Sequence, residues 1–131
     1  MKVYKFKYEK LVRDMIPTKI KKSGGKVKQK TLSTNKYIYE LKRKLIEEGE
    51  ELLVAKNTKD TLDEMADIQE LIDCLLVSLG KKTPDLKKLQ KEKNKKNGSF
   101  KDKIYINNIS ADENFDWLDY HLKNKQKYPL I

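Results

Sequence analysis

The sequence predicts an all-α protein, and three features carry that prediction. Two long segments, about 34–56 and about 61–79, place apolar residues at helical spacing. Capping and terminating residues flank these segments: Ser33 or Thr34 precedes the first, Asp60 precedes the second, and Gly80 follows the second. The connection 57–60 is short enough to fold the two helices back on each other as an antiparallel hairpin.

The N-terminal third is expected to hold one short helix. Pro17 suits its first turn, Asp14 is its expected N-cap, and Ser23-Gly24-Gly25 is expected to end it. Residues 1–8 alternate weakly between basic and apolar side chains, which indicates a short strand or an extended arm.

The C-terminal half is expected to add two further helices. Thr83-Pro84-Asp85 begins a very basic helix, the next after the two long ones, which ends near Asn97-Gly98. Residues 103–106 are predicted as a short strand or an extended segment. A last amphipathic helix is expected over about 112–124, with Phe115, Leu118 and Leu122 on its packing side.

Composition limits the class of protein. The 131 residues are enough for one domain, and the formal net charge of +10 favours a polyanion or a phosphorylated small molecule as partner. No segment approaches the roughly 20 apolar residues of a membrane span, and the N-terminus lacks an apolar signal-peptide core. Cys74 is the single cysteine and is expected to be a small core residue. We therefore expect a cytoplasmic protein without a membrane partner.

Acidic residues interrupt the apolar side of the second long helix. At about 100° per residue, Glu64 lies within the arc of Ile68, Leu71 and Leu75, and Asp67 lies at the edge of that arc. Burying an unpaired carboxylate costs several kcal/mol, so something in the fold must compensate these two charges.

The first long helix offers a matching pair. Its predicted apolar stripe consists of Leu41, Leu45, Ile46, Leu52 and Leu53. Glu48 flanks that stripe, Glu51 follows one turn later and Glu47 lies beside them, so E-x-x-E at 48 and 51 faces E-x-x-D at 64 and 67 across the hairpin. Four converging carboxylates repel by about 4 kcal/mol per close pair, which a hard divalent cation relieves, and oxygen ligands favour Mg²⁺ or Mn²⁺ over zinc.

A simpler interpretation stays open at this point. Exposed helices are rich in glutamate, and Glu47, Glu48, Glu50 and Glu51 are then solvated side chains that pair with Lys42, Lys44 or Lys56. The buried acids of the second helix could equally meet a lysine.

Four segments resemble a known family. The segments 44–52, KLIEEGEEL, and 62–68, LDEMADI, resemble the E-E-x-x-E … E-x-x-D signature of the MazG-like all-α NTP pyrophosphatase superfamily, which includes phosphoribosyl-ATP pyrophosphohydrolases. The segment 10–17, KLVRDMIP, resembles the N-terminal motif of a phosphoribosyl-ATP pyrophosphohydrolase-like branch, and 96–100, KNGSF, resembles its basic-Gly-Gly-Phe segment. Ser99 stands where a second glycine is usual. The resemblance covers about 8–106, and 107–131 form a C-terminal extension of the single domain 1–131.

The resemblance implies a four-helix-bundle-type core built from the hairpin and completed in a homodimer or homotetramer. It implies a Mg²⁺-dependent hydrolase that cleaves a nucleoside triphosphate, or a related nucleotide, between its α and β phosphates, which releases a nucleoside monophosphate and pyrophosphate. One such role is clearing unwanted nucleotides from the pool. The implied metal ligands are Glu48, Glu51, Glu64 and Asp67. The implied catalytic groups are Glu47 and Glu48, which hold or deprotonate the attacking water.

Four basic residues are candidates for binding the substrate phosphates: Lys10, Arg13, Lys93 and Lys96. Arg13 stands out because it is one of only two arginines. His121, the only histidine, lies outside the matched segments and is expected to pack structurally. The alternative for its helix is that Trp117 or Tyr120 stacks on a base.

The main alternative function is a nucleic-acid-binding or scaffold protein without catalysis. The stretch 81–103 is densely basic and could bind phosphates without sequence preference. It lacks the interleaved aromatic residues of a single-strand binding protein, so we do not expect nucleic acid as the partner.

Overall fold

The computed structural model describes residues 1–131 and contains five helices and no strands, which confirms the all-α prediction. The helices are α1 (Ile16–Lys22), α2 (Thr34–Val54), α3 (Thr58–Ser78), α4 (Thr83–Asn97) and α5 (Leu118–Lys123). The chain divides into two compact units, Met1–Lys93 and Asn94–Ile131. No helix is both long enough and apolar enough to span a membrane. The two segments that the sequence left open between strand and extended chain are not strands.

The helix α1 begins as a proline-initiated turn. Met15 is its N-cap, and no side chain caps it, so the prediction of Asp14 as the cap is wrong. Pro17 lies in the first turn, where its missing N–H leaves no hydrogen bond unmade. The backbone N–H of Gly25 donates to the carbonyl of Ile20 at 3.0 Å, and Gly24 has a φ of 97°, so the predicted glycine termination is confirmed.

The hairpin of α2 and α3 is tighter than predicted. Ser33 caps α2 by accepting a hydrogen bond from the N–H of Lys36, as expected. The cap of α3 is Asn57, and the prediction of Asp60 is wrong. The side chains of these two residues satisfy each other: Asn57 Oδ1 accepts from the N–H of Asp60 at 2.8 Å, and Asn57 Nδ2 donates to Asp60 Oδ2 at 3.0 Å. This reciprocal cap moves the start of α3 back by one turn.

The C-terminal end of α3 is closed at the predicted glycine. Gly80 has a φ of 67°, its N–H donates to Val77, and the next N–H, from Lys81, donates to Leu76 at 2.8 Å. These two bonds satisfy carbonyls that the helix leaves open, and they require a left-handed residue at position 80.

The packing that positions the candidate site lies between α2 and α3. Leu41 and Leu71 are the buried apolar residues, and Leu45 and Leu52 are half-buried around them. Ile46 and Leu53 were predicted in the same stripe but are exposed, at 65% and 84%. Their Cα positions are rotated by roughly 120 to 140° from that of Leu41, so the hairpin does not cover them. Cys74, expected in the core, is half-buried.

In the C-terminal unit the helix is shorter than predicted. Only 118–123 is helical, with turns on either side. His121 packs among aromatic rings: its ring centre lies 5.5 Å from that of Phe115 and 4.5 Å from that of Tyr128, and its Nδ1 lies 2.8 Å from the carbonyl oxygen of Trp117. Leu118 is half-buried, while Leu122 is exposed. These contacts give His121 a packing role, as expected.

Candidate metal centre

Glu48 is the buried acid of the hairpin. It lies two helical turns after Leu41 and therefore on the same side of α2, toward α3. Only 6% of the residue is exposed, and its Oε2 is buried without a hydrogen-bond partner in the chain. A buried carboxylate oxygen without a partner costs free energy, so its presence here calls for a bound cation or proton.

Two further carboxylates meet Glu48. One oxygen of each of Glu48, Glu51 and Glu64 lies within 4.8 Å of the other two. Glu51 is exposed and Glu64 half-buried, and the Oε2 of Glu64 is a second buried oxygen without a hydrogen-bond partner. We call these three residues the acidic cluster. The helical spacing of each motif and the antiparallel hairpin together bring three of the four predicted ligands into one place.

Electrostatics within the cluster favour its neutralisation. Burial, the proximity of Glu64, which would share a hydrogen bond with a protonated Glu48, and repulsion from Glu51 raise the pKa of Glu48 from 4.5 to about 8. The chain alone therefore holds a proton on Glu48 at neutral pH. A divalent cation bound among these oxygens would replace that proton and stabilise all three ionised carboxylates.

Asp67, the fourth predicted ligand, lies beside the cluster and is paired. Its Oδ1 accepts a hydrogen bond from Arg13 Nη2 at 2.6 Å. Asp67 also contributes to the raised pKa of Glu48 through its charge, which places it in electrostatic reach of the cluster. Its role as a metal ligand stays a prediction.

Glu47 lies at the edge of the cluster and is held by two lysines. Lys10 Nζ donates to Glu47 Oε1 at 2.8 Å, and Lys44 Nζ lies 3.4 Å from Glu47 Oε2. The hydrogen bond from Lys10 lowers the pKa of Glu47 below its ordinary value of 4.5, so this side chain stays ionised at and well below neutral pH. Lys10 and Arg13, both predicted as phosphate-binding residues, are thus brought to the acidic site by the same N-terminal segment.

The lysine pairing expected from the simpler interpretation is found for one lysine, although Glu48 is buried and not solvated. Lys44 lies 3.9 Å from Glu48 Oε1 as well as near Glu47, whereas neither Lys42 nor Lys56 forms an ion pair. A single lysine at 3.9 Å leaves the other oxygen of Glu48 without a partner. Lys44 therefore reduces the negative charge of the site but does not account for the buried oxygens.

An open cleft of about 240 Å³ adjoins Glu47. Lys10, Arg43 and Lys44 line it together with Glu40 and Glu47. Lysine side chains such as Lys10 and Lys44 on the wall of a cleft are suited to bind phosphate groups. Arg43 itself is engaged by Glu40 at 3.0 Å.

The two predicted phosphate-binding lysines of α4 make no side-chain polar contact in the chain. Lys93 and Lys96 are exposed on α4 and form no ion pair or hydrogen bond, so their role stays a prediction.

Tyr37 is a polar residue on the packing side of α2 that was not predicted. It is half-buried, and burial and the neighbouring Cys74 raise its pKa. Its position one turn before Leu41 on the packing side of α2 is the signal that could have found it.

The arrangement can hold a hard divalent cation. All the donors are carboxylate oxygens, two of them buried without a partner, and the donor set fits Mg²⁺ or Mn²⁺ rather than a softer metal. No family model, no curated protein and no solved structure matches this chain.

Proposed function

We propose that this protein is a Mg²⁺-dependent nucleoside-triphosphate pyrophosphohydrolase of the MazG-like all-α superfamily. It would cleave between the α and β phosphates and release a nucleoside monophosphate and pyrophosphate. The observation that carries the proposal is the convergence of Glu48, Glu51 and Glu64, with buried oxygens on Glu48 and Glu64 that have no partner. The resemblance of the four sequence segments to the superfamily supplies the reaction class.

In this proposal Glu48, Glu51, Glu64 and Asp67 hold the cation. When bound, Mg²⁺ supplies charge neutralisation for the triphosphate and for the pyrophosphate leaving group. The four ligands contribute more negative charge than one Mg²⁺ neutralises, so the site also suits a second ion or a nearby basic side chain.

Glu47 is suited to orient the attacking water. Its pKa lies below the ordinary value of 4.5, so its carboxylate is ionised at neutral pH and is able to accept a hydrogen bond from water. Lys44, on the same wall, stabilises the developing negative charge. Arg13 and Lys10 contact acids beside the cluster and interact through charge with Glu48 and Glu51, so they are suited to bind phosphate oxygens of a nucleotide that the cation holds.

We further propose that two copies of the hairpin pack into a four-helix bundle. Tyr39, Ile46 and Leu53 follow one another at seven-residue spacing along α2, and all three are exposed. Leu62 and Met65 form an exposed apolar stripe on α3. In an antiparallel hairpin these stripes fall on the same side, away from Glu51 and Asp67. A second copy of the chain covers both stripes and leaves the acidic side open.

Oligomer formation can be tested with two neighbouring residues. Leu53→Asp places a charge in the α2 stripe, whereas Val54→Asp places the same charge on an adjacent exposed residue outside it. Light scattering coupled to gel filtration is expected to show a dimer or tetramer for the wild type and Val54→Asp, and a smaller species for Leu53→Asp. A monomeric wild-type protein would contradict the bundle.

Catalysis is tested by pyrophosphate release. A panel of NTPs, dNTPs, modified nucleotides and phosphoribosyl-ATP is incubated with the protein, with and without Mg²⁺. We expect Mg²⁺-dependent release from at least one member. We expect Glu64→Gln to lower the rate by about 100-fold or more, since loss of a supporting group alone costs about 10- to 100-fold. The matched control is Asp63→Asn, because Asp63 is exposed next to Glu64 and pairs only with Lys59. Full activity of Glu64→Gln would refute the assignment of this site.

One observation favours the alternative, sequence-independent binding of nucleic acid. Lys87, Lys88 and Lys91 are exposed within an arc of about 100° on α4, and none of them pairs with an acid. Binding to a labelled single-stranded oligonucleotide, measured by fluorescence polarisation, would then weaken with salt and need no Mg²⁺.

The matched test of that alternative compares two triple variants. Lys87, Lys88 and Lys91 are changed to Gln in one, and three exposed, unpaired lysines outside α4, Lys36, Lys42 and Lys56, are changed to Gln in the other. Weaker binding by the α4 variant only would support a nucleic-acid surface. Equal binding by both variants would exclude it.

A further inference from the structure

The N-terminal segment 10–15 carries two cations onto the carboxylates of the candidate site. Arg13 Nη2 lies 2.6 Å from Asp67 Oδ1, and Lys10 Nζ lies 2.8 Å from Glu47 Oε1. Between them, Leu11 and Val12 are half-buried. The backbone is thus anchored by two apolar side chains, while each flanking cation reaches an acid.

Both cationic side chains are open to solvent. The side chain of Arg13 is 58% exposed and that of Lys10 is 50% exposed. Little packing fixes them, so attraction to the carboxylates sets their positions. Exposed ion pairs of this kind are weak and exchange readily. Either cation can therefore change partner without unfolding any helix.

A divalent cation at the acidic cluster would oppose these contacts. Asp67, the partner of Arg13, is one of the proposed metal ligands, and its charge already acts on Glu48. A guanidinium group and a metal ion that share one carboxylate repel each other. Metal binding therefore weakens the hold of Asp67 on Arg13.

We infer that Arg13, assisted by Lys10, is an exchangeable counter-ion. It neutralises Asp67 when the site is metal-free, and it moves to the phosphates of the substrate when the cation and nucleotide are bound. This inference rests on the proposed metal site. Arginine suits both positions because its planar group forms the same paired hydrogen bonds with carboxylate and with phosphate. The apolar anchor at Leu11 and Val12 keeps it within reach of both.

The exchange would couple the binding of metal and nucleotide. Once Arg13 binds phosphate, it no longer competes for Asp67, so nucleotide strengthens metal binding. By thermodynamic linkage, metal strengthens nucleotide binding by the same factor, and such factors are commonly about 5- to 150-fold. The N-terminal segment 10–15 then acts as a positioning element, and it reaches its final contacts only when both metal and nucleotide are bound.

The first test measures Mn²⁺ binding by isothermal titration calorimetry on the full chain. Arg13→Gln removes the competing charge and is expected to bind Mn²⁺ about fivefold or more tightly than the wild type. Arg43→Gln is the matched control, because Arg43 is the other arginine and pairs with Glu40 outside the cluster. Arg13→Lys keeps the charge and is expected to return the affinity toward the wild-type value. Unchanged or weaker Mn²⁺ binding by Arg13→Gln would overturn the inference.

The second test measures directly whether the N-terminal segment 10–15 is released. Trypsin cleaves after Lys10 and Arg13, so the initial rate of cleavage at these sites reports their release. We expect Mn²⁺ to accelerate cleavage and a non-hydrolysable triphosphate analogue, added with Mn²⁺, to slow it again. A structural role alone would give the same rate in all three conditions.

The two tests separate the inference from the proposed function. Wild-type protein that releases pyrophosphate and binds Mn²⁺, with Arg13→Gln no tighter, would retain the enzyme and refute the exchange. Wild-type protein that binds no Mn²⁺ would refute both. Tighter Mn²⁺ binding by Arg13→Gln without pyrophosphate release from any nucleotide would retain the exchange and refute the enzyme.

Discussion

The metal-free protein is expected to lose stability as pH rises from about 5 to about 8. The cause is Glu48, whose pKa lies at about 8 in the folded chain against an ordinary value of 4.5. Between these values the folded state holds one proton that the unfolded state has released. The free energy of unfolding therefore falls with rising pH, by about 1.4 kcal/mol per pH unit from this group. Below the ordinary pKa the contribution is fully present, and it is lost as pH rises through about 8.

The magnitude follows from the same shift. Moving a pKa from 4.5 to about 8 corresponds to at most about 5 kcal/mol across the whole window. Glu47 acts in the opposite direction, since its pKa is lowered, but its contribution changes only below its ordinary value of 4.5. The two effects are thus separated in pH.

The assay is urea unfolding followed by far-UV circular dichroism, with EDTA present and the protein concentration fixed. Glu48→Gln removes the titrating group and is expected to flatten the dependence, while Glu50→Gln, on an exposed residue of the same helix, is expected to keep it. Saturating Mg²⁺ is expected to restore stability at the alkaline end, because the cation binds the ionised form. A stability that is constant or rises over this range in the wild type would refute the assignment of Glu48.

Three further predictions follow from the same structure. Mg²⁺ binding at neutral pH is expected to release about one proton in the wild type and less in Glu48→Gln, which calorimetry in buffers of different ionisation enthalpy measures. Gly80→Ala is expected to destabilise the chain by about 1 kcal/mol because of the left-handed φ of 67°. Gly49→Ala, inside α2 with no atom near the added methyl group, is expected to stabilise the chain by a similar amount. Urea unfolding measures both changes. Leu41→Ala is expected to cost about 2 to 5 kcal/mol in the same assay, because this side chain is 1% exposed at the centre of the hairpin; a cost below about 1 kcal/mol would show that the packing of α2 on α3 is not what stabilises the fold.

The helical hairpin could be predicted because its signals are local. The spacing of apolar residues identified α2 and α3, and Ser33 and Gly80 marked two of their ends. The start of α3 was missed because both Asn57 and Asp60 are good caps. In the structure, the two hydrogen bonds between Asn57 and Asp60 make Asn57 the N-cap. The sequence alone does not determine which of these two side chains accepts the backbone hydrogen bond.

The acidic cluster was predictable in membership but not in burial. Helical phase placed Glu64 within an apolar arc and Glu48 only beside one, yet Glu48 is the more buried residue. The depth of a side chain depends on which face the second helix covers, and phase within one helix does not determine that. The contact of Arg13 with Asp67 spans 54 positions of the chain, and no local pattern encodes it.

X-ray anomalous scattering from crystals grown with Mn²⁺ would locate a divalent cation between α2 and α3. We expect a strong anomalous peak within coordination distance of carboxylate oxygens from Glu48, Glu51 and Glu64, at about 2.0 to 2.3 Å. A map without a peak there, with the Lys44 ammonium group bound to the buried oxygens instead, would contradict the proposed metal site.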